Sequence, residues 1–184
     1  MKILRESIRM IILELSQVEI DAASRIANRA HRGQLRRDGQ PYIMHPQAVQ
    51  EITRQYYPDD LEAQVLAMLH DIIEDGPKYS GLSHRSLYGM VKHSIEDIDS
   101  QKRIMDALRI MTHSKRRQPV YEDYLRSVFS NPLAAKVKVS DLIHNLSHNP
   151  SVSQIEKYRK ALQEVPIPMW IDPSHQKRLE DILR

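Results

Sequence analysis

One short run of the sequence holds four side chains that can bind a metal or transfer a proton. His70 and Asp71 follow an apolar stretch, and Glu74 and Asp75 come one helical turn later. At about 100° per residue, these positions fall within an arc of roughly 140° on a helix. Charged groups enter an apolar interior at high cost unless they are paired or bind a metal. The run therefore predicts a divalent metal site with an activated water, on one face of one helix.

Two other segments offer similar chemistry, and each also has a simpler interpretation. His45 precedes Pro46, and a residue before proline favours an extended backbone, so we expect His45 at a helix mouth, able to reach a neighbouring site. The alternative is a histidine that caps this helix. Asp141 stands among apolar residues with Asn145 one turn later, which indicates a functional face turned inward. The alternative is a salt bridge from Asp141 to Lys138.

Length and composition indicate one helical globular domain. The chain has 184 residues, 41% hydrophobic and 28% charged, and its five glycines favour helices over sheets. The absence of cysteine excludes disulfides and thiolate ligands, so a metal site must use histidine and carboxylate. No apolar run approaches the ~20 residues of a membrane span. The net charge of +3 suits an anionic ligand without requiring nucleic acid. We therefore expect a cytoplasmic protein with neither a membrane nor a nucleic-acid partner.

Apolar residues recur at helical spacing along nearly the whole chain, which predicts an all-α fold of roughly eight to ten helices. The predicted helices cover 3–15, 18–32, 46–55, 59 or 60 to about 76, 83–91, 97–111, 119–128, 132–146, 154–163 (capped by Ser153) and a short one after Pro173. At most a minor hairpin is expected near 35–43. Without a linker or repeat, residues 1–184 should form one domain, with the helices of 153–184 packing on the motifs of 30–145.

Four segments together resemble the successive signatures of HD-superfamily hydrolases. They are AHRGQ at 30–34, RRDGQPYIMHP at 36–46, HDIIED at 70–75 and KVSDLIHN at 138–145. They are most similar to the hydrolase domain of RelA/SpoT-type alarmone enzymes. With no room for a synthetase domain, the chain looks like a stand-alone small alarmone hydrolase. The resemblance implies removal of the 3′-pyrophosphate from (p)ppGpp, and possibly (p)ppApp, to give pyrophosphate and GDP, GTP or the adenosine counterparts.

The resemblance also implies roles for individual residues. One Mn²⁺ per chain would be bound by His45, His70, Asp71 and Asp141. Glu74 and Asp75 would position and deprotonate the attacking water. The substrate-binding residues would be Arg36, Arg37, Lys115, Asn145 and Tyr158. Two imidazoles and two carboxylates suit Mn or Fe with open positions for water, and arginines make paired hydrogen bonds to diphosphates.

Several alternatives stay open in the sequence. Arg37, Asp38 and Gln40 depart from the residues common in the family, so the choice between guanosine and adenosine alarmones is not determined. An HD phosphohydrolase or phosphodiesterase acting on other nucleotides or cyclic dinucleotides is one alternative function, and a non-catalytic nucleotide-binding module is another. The oligomeric state is also open.

The remaining histidines are expected to have structural or surface positions. His84, His93 and His113 could support a second metal, although surface histidines are the commoner case. His31 is expected to be a structural group, and His144 and His148 to be solvated. The basic run 115–117 is either a rim that guides a polyphosphate or an exposed loop.

Overall fold

The computed structural model describes residues 17–114, 116 and 118–184, and these form ten helices. The helices are α1 (17–30), α2 (Met44–Tyr56), α3 (Leu61–Leu69), α4 (Gly76–Ser80), α5 (His84–Ser94), α6 (Ile98–Met111), α7 (Tyr121–Phe129), α8 (Pro132–Ser147), α9 (Val152–Glu164) and α10 (Pro173–Leu183). In place of a hairpin, an isolated antiparallel bridge joins Leu35 to Pro41. The all-α prediction is confirmed. The predicted helix 3–15 lies outside the described residues.

Helix α8 lies at the centre of the bundle, where it contacts α2, α3, α6, α7, α9 and α10. A helix covered on most sides is buried over most of its circumference, and α8 is buried from Ala134 to Leu146 except at two positions, Lys136 and Asn145. Its buried residues include polar ones, among them Lys138 and Asp141. The packing of α8 therefore places a carboxylate and an ammonium group in the interior of the protein.

Helix α3 packs against α2, α6 and α8, and every residue from Ala63 to Leu69 is buried. Asp60 caps its first turn by accepting a hydrogen bond from the Ala63 N–H at 3.0 Å, which confirms one of the two predicted caps. This apolar helix leads directly into His70, so it delivers the predicted motif to the centre of the bundle.

The prediction that one regular helix carries positions 70 to 75 is wrong. Helix α3 ends at Leu69, residues 70–75 form consecutive turns, and Gly76 begins α4 instead of ending a helix. The His70 ring explains part of this ending, because its Nδ1 bonds the Ala67 carbonyl at 2.7 Å. Ile72 N–H then bonds the Leu69 carbonyl three residues back, the tighter spacing common at helix ends.

Two further predicted boundaries are wrong. Helix α2 starts at Met44, so His45 lies in the first helical turn and is not in an extended segment before it. Pro46 is tolerated there because the first turn has no intrahelical acceptor for its missing N–H. Helix α9 is capped by Ser151, whose hydroxyl accepts from the Gln154 N–H at 3.2 Å, and not by Ser153.

A buried histidine joins the last helix to the centre of the bundle. The His175 ring stacks on Tyr56 with centroids 4.3 Å apart, and its Nε2 lies 3.2 Å from the Ser140 hydroxyl of α8. Thr53 of α2 donates to the same hydroxyl at 2.9 Å. Burial lowers the pKa of His175 to about 4, so the ring is neutral at neutral pH. Helices α2, α8 and α10 thus share one polar contact inside the core.

In the part of the chain that the structure describes, no helix combines the length and apolar character needed to cross a membrane.

Candidate metal centre and active site

Three buried side chains bring metal-ligating atoms together where α2, α8 and the end of α3 meet. His45, His70 and Asp141 offer ligand atoms that all lie within 4.8 Å of one another. His45 Nε2 is 3.2 Å from His70 Nε2 and 3.3 Å from Asp141 Oδ1. Two imidazole nitrogens and a carboxylate oxygen in this arrangement suit a divalent transition metal.

Asp71 lies on the more open side of the same cluster. Its Oδ2 is 3.3 Å from His45 Nε2 and 3.1 Å from His70 Nε2, and its side chain keeps 22% of its surface exposed. The Tyr42 hydroxyl donates to this oxygen at 2.5 Å. The structure therefore brings all four predicted ligands together, although they come from two helices and a turn.

Hydrogen bonds on the far side of each ring prepare the two histidines for a cation. A carbonyl only accepts, so the bond to Ala67 requires the proton of His70 on Nδ1, and the neutral ring then presents a lone pair at Nε2. His45 Nδ1 lies 2.8 Å from His144 Nδ1, so one proton is shared between these two nitrogens. When His45 supplies that proton, its Nε2 also presents a lone pair.

The charges of the cluster also favour a bound cation. Although burial opposes ionisation, the His70 charge and hydrogen bonds from both histidines keep the pKa of Asp71 well below its usual value. Although burial opposes protonation, the Asp71 charge and hydrogen bonds to both carboxylates raise the pKa of His70 well above its usual value. The cluster therefore holds anions that attract protons or a metal ion, and its donor set fits the metal.

Asp141 has partners on both oxygens. Lys138 Nζ donates to Oδ2 at 2.8 Å, and Asn145 Nδ2 donates to Oδ1 at 2.6 Å. The salt bridge and the inward-facing carboxylate, which the sequence offered as alternatives, are thus both present. Although burial opposes the charged form, the Asp141 charge raises the pKa of Lys138 well above its usual value. The pair holds the Asp141 side chain in one orientation.

Glu74 lies beside the cluster with its carboxylate anchored by a backbone group. It accepts a hydrogen bond from the His113 N–H. Glu74 as a whole is exposed, but the atoms packed around its carboxyl desolvate it and, together with the nearby Asp71 charge, raise the pKa of Glu74 to about 7. A carboxyl with a pKa near neutrality suits a general base.

Asp75 points to a different set of partners. Gln34 Nε2 donates to Asp75 Oδ2 at 2.8 Å, and Gln34 Oε1 lies 2.8 Å from His31 Nδ1. Asp75 lines neither of the cavities described below. The His31–Gln34–Asp75 chain instead fixes the turn 70–75 against the end of α1, which is a structural position for His31 as expected.

His45, His70, Asp71 and Asp141 are called the metal-type cluster below. Two cavities adjoin this cluster, and both are lined by Tyr42, His45 and Asn145. The inner chamber has a volume of about 220 Å³ and contains the ligand atoms, Glu74 and the aromatic residues of α7 and α9. The outer cleft has a volume of about 390 Å³ and lies along the loop 34–38.

The predicted substrate-binding residues divide between these cavities. Arg36, Arg37 and Asn145 line the outer cleft, and Asn145 also lines the inner chamber. Tyr158 lines the inner chamber and not the cleft that carries the two arginines. Lys115 lies outside the described residues, as does Arg117 of the same basic run.

His144 was expected to be solvated, and this prediction is wrong. The residue is buried and contacts His45, because α8 is covered on nearly every side and has no broad solvent face. Burial, with the nearby His45 charge, lowers the pKa of His144 to about 3. His148, in contrast, is exposed as expected. His84 and His93 lie on α5, outside the metal-type cluster, whereas His113 lines the inner chamber.

Sequence reasoning missed other residues of the site. Tyr42, Tyr121 and Lys157 all line the inner chamber. Tyr42 lies in the motif 36–46, three residues before His45, and this short spacing could have predicted that it belongs to the site. Tyr121 and Lys157 follow ordinary helical patterns, and only the packing of α7 and α9 against α8 places them here.

A helical bundle with a largely buried cluster of two histidines and two aspartates is consistent with an HD-type hydrolase-like domain. No family profile matches the chain. It is 30% identical over 157 residues to a guanosine-3′,5′-bis(diphosphate) 3′-pyrophosphohydrolase of Haemophilus influenzae, covering 85% of this chain and 22% of that protein. It is 25% identical over 142 residues to the bifunctional (p)ppGpp synthase/hydrolase SpoT of Escherichia coli, covering 77% and 20%.

A plant relative with a different name also matches. The chain is 31% identical over 146 residues to the putative chloroplastic GTP diphosphokinase RSH1 of Arabidopsis thaliana, covering 76% of this chain and 16% of that protein. The chain thus spans about a fifth of the length of these curated relatives. Together the fold, the cluster and these similarities support the assignment of the chain as a RelA/SpoT hydrolase-like domain of the HD type.

Proposed function

We propose that this domain hydrolyses the 3′-pyrophosphate of (p)ppGpp, or of its adenosine counterpart, with one Mn²⁺ held by His45, His70, Asp71 and Asp141. The observation that carries the proposal is the convergence of these ligand atoms beside the Glu74 carboxylate. The names of the Haemophilus influenzae and Escherichia coli relatives support the choice of substrate.

The chain's own groups account for proton transfer and positioning. A bound divalent ion would supply a Lewis acid that offsets phosphoryl charge and acidifies water. Glu74, fixed by the His113 N–H, accepts the proton from the attacking water. Tyr42 holds Asp71, and Lys138 and Asn145 hold Asp141, so the carboxylates keep their orientation during turnover. Asp75 supports the geometry through Gln34, which makes it a positioning residue in this proposal.

The outer cleft is proposed to bind the nucleoside. Arg36 and Arg37 flank it, and a guanidinium can stack on a base or make two parallel hydrogen bonds to a phosphate. Asn145 stands where the cleft meets the cluster, close to the expected position of the ribose. The cytoplasmic location, the absence of a nucleic-acid partner and the role of Lys115 stay predictions.

The test is a product analysis with matched substrates. The purified protein is incubated with Mn²⁺ and, separately, ppGpp, ppApp and a cyclic dinucleotide, and the products are separated by ion-exchange chromatography. We expect pyrophosphate and a nucleoside diphosphate from an alarmone, and an intact cyclic dinucleotide. Cleavage of the cyclic dinucleotide alone would favour the phosphodiesterase alternative.

A binding module would behave differently. Nucleotide binding that is unaffected by a chelator and by Glu74→Gln, with no product from any substrate, would contradict an enzymatic function. As a separate measure of the metal site, Asp71→Ala should lose its metal by elemental analysis. Full metal occupancy in that variant would remove Asp71 from the set of ligands.

A further inference from the structure

The two cavities beside the metal-type cluster differ in chemistry as well as in size. The outer cleft contains Leu35 and the ring of Tyr42 together with the loop arginines, so it offers both apolar and polar surface. The inner chamber is little more than half as large, with 220 Å³ against 390 Å³, and its lining is dominated by charged groups, phenols and imidazoles. Such a chamber is suited to a small, fully polar group.

One of these phenols has an unused donor. The Tyr121 hydroxyl is buried and its O–H has no acceptor among the described residues, although Lys138 lies close enough to donate toward its oxygen. The nearby Lys138 ammonium has only donors, so it cannot accept the phenol proton. Burial raises the pKa of Tyr121, which keeps that proton in place. A buried donor without an acceptor is costly, and an anion in the chamber would accept from this O–H.

Lys157 brings a positive charge to the same wall. It extends from α9 and places its ammonium 3.7 Å from the centre of the Tyr121 ring. It also lines the inner chamber, together with the carboxylates of the cluster. Three carboxylates and two ammonium groups line the chamber, those of Asp71, Glu74, Asp141, Lys138 and Lys157. With a divalent ion bound, the positive charges outweigh the negative ones.

We propose that the inner chamber binds the pyrophosphate end of the substrate and that Tyr121 and Lys157 are the side chains that hold it. The inference rests on the proposed function for its reaction. It assigns a direction to the substrate, with the nucleoside in the outer cleft and the 3′-pyrophosphate between the cluster and α9. Water attacks the phosphorus next to the ribose, and the bond from that phosphorus to the 3′-oxygen breaks. The ammonium of Lys157 offsets the charge of the pyrophosphate, and the Tyr121 O–H donates to one of its oxygens.

The inference is tested by calorimetric titration of inorganic pyrophosphate into the full chain at a fixed excess of Mn²⁺. Guanosine monophosphate, which lacks a pyrophosphate group, is the second probe. We expect Lys157→Met to weaken pyrophosphate binding at least tenfold and Tyr121→Phe to weaken it about threefold or more, because a charged contact is stronger than a neutral one. Both variants should bind the monophosphate within twofold of the original protein.

Matched controls separate a local contact from a general effect of charge. Lys160→Met removes the same charge from α9, where Lys160 faces Glu122 at 3.9 Å and does not line the chamber, and should leave both affinities unchanged. Arg36→Met should weaken the monophosphate and spare pyrophosphate, since Arg36 lines only the outer cleft. Circular dichroism and the thermal midpoint establish that each variant is folded.

The outcomes separate this inference from the proposed function. Unchanged pyrophosphate affinity in both Lys157→Met and Tyr121→Phe, or an equal loss for the two probes, overturns it. So does an original protein that fails to bind pyrophosphate, whatever the hydrolysis assay shows. If pyrophosphate binds as expected and no alarmone is hydrolysed, the chamber assignment stands and the proposed reaction fails.

Discussion

His70 shows how a single hydrogen bond prepares a side chain for a metal. Its Nδ1–H is committed to the last turn of α3, so the same contact that ends the helix also fixes the tautomer and directs Nε2 toward Asp71 and Asp141. His45 receives equivalent support from His144. Such contacts behind metal-binding histidines commonly set ring orientation and metal affinity.

Glu74→Gln is expected to retain the metal and to lose roughly 10²- to 10⁴-fold in kcat, because an amide keeps the size of the side chain but cannot accept the proton. Steady-state hydrolysis and elemental analysis on the same preparation measure both quantities. Glu156→Gln, an equivalent change on the exposed face of α9, is the control. Unimpaired turnover by the Glu74 variant would contradict its assigned role.

The sequence predicted the metal ligands better than it predicted the side chains that contact and orient them. His70 and Asp71 stood out by residue type, the resemblance to HD hydrolases added His45 and Asp141, and the structure brings all four together. His144 carries the same imidazole but was placed in solvent, because the face it occupies on α8 depends on which helices cover it. Contacts between side chains distant in sequence, such as Lys157 with Tyr121, leave no local pattern to detect.

Helix α4, which follows the turn 70–75, packs very closely against α1 and α5 at Gly76. Gly76 begins α4, and a Cβ placed there would lie 2.9 Å from Leu87 Cδ1 of α5 and 3.2 Å from the Ala30 Cβ of α1. A side chain at this position would force Leu87 or Ala30 to shift, so the packing favours glycine. The contact fixes the turn 70–75 against two helices.

Gly76→Ala is expected to lower the free energy of unfolding by about 1–3 kcal/mol through overpacking. Gly89→Ala, in the interior of α5 where a Cβ meets nothing within 4 Å, should raise it by about 0.5–1 kcal/mol through better helix propensity. Urea unfolding midpoints measure both changes. Equal effects of the two substitutions would show that the close approach at Gly76 is not limiting.

The contact of α10 with α8 should make stability depend on pH. The pKa of His175 falls from 6.5 to about 4 on folding, so the unfolded chain binds this proton more readily than the native state. The neutral His175 ring therefore stabilises the native state fully above pH 6.5. This stabilisation is lost as the pH falls toward 4, which lowers the free energy of unfolding by about 3 kcal/mol. In urea titrations from pH 7 to pH 4, His175→Gln should destabilise the protein at pH 7 and lose less stability on acidification. Parallel curves for the two proteins would contradict this.

Helix existence was predictable where apolar periodicity is strong, and helix ends were not. The predicted cap at Asp60 and the helix from Pro132 are observed because capping side chains and proline act locally. The end of α3 was missed because the His70 ring competes for a backbone carbonyl, and a helical pattern cannot register that competition.

For the whole molecule, the ligands join segments that are far apart in sequence. They come from α2, α8 and the turn after α3, and the three helices concerned contact one another extensively. Metal binding therefore requires the native packing of the bundle, and an ion that binds only the native state stabilises it.

Mn²⁺ at about 100 times its dissociation constant should stabilise the native state by about 2.7 kcal/mol, which corresponds to a rise in Tm of about 5–10 °C for a domain of this size. Differential scanning calorimetry with Mn²⁺ and with a chelator measures the shift. Asp71→Asn, which keeps the shape of a partly exposed ligand, should abolish most of it. A full shift in that variant would indicate that the ion binds elsewhere.

The loop that carries Arg36 and Arg37 is closed by local contacts, among them the bridge from Leu35 to Pro41 and the hydrogen bond from the Tyr42 N–H to the Gln34 carbonyl, whereas the ligands lie where α2, α8 and the end of α3 pack together. Mutations in this loop can accumulate without a large loss of stability and without disturbing the catalytic cluster. Under the proposed function, a change of nucleobase preference through this loop would leave the residues of the metal-type cluster in place.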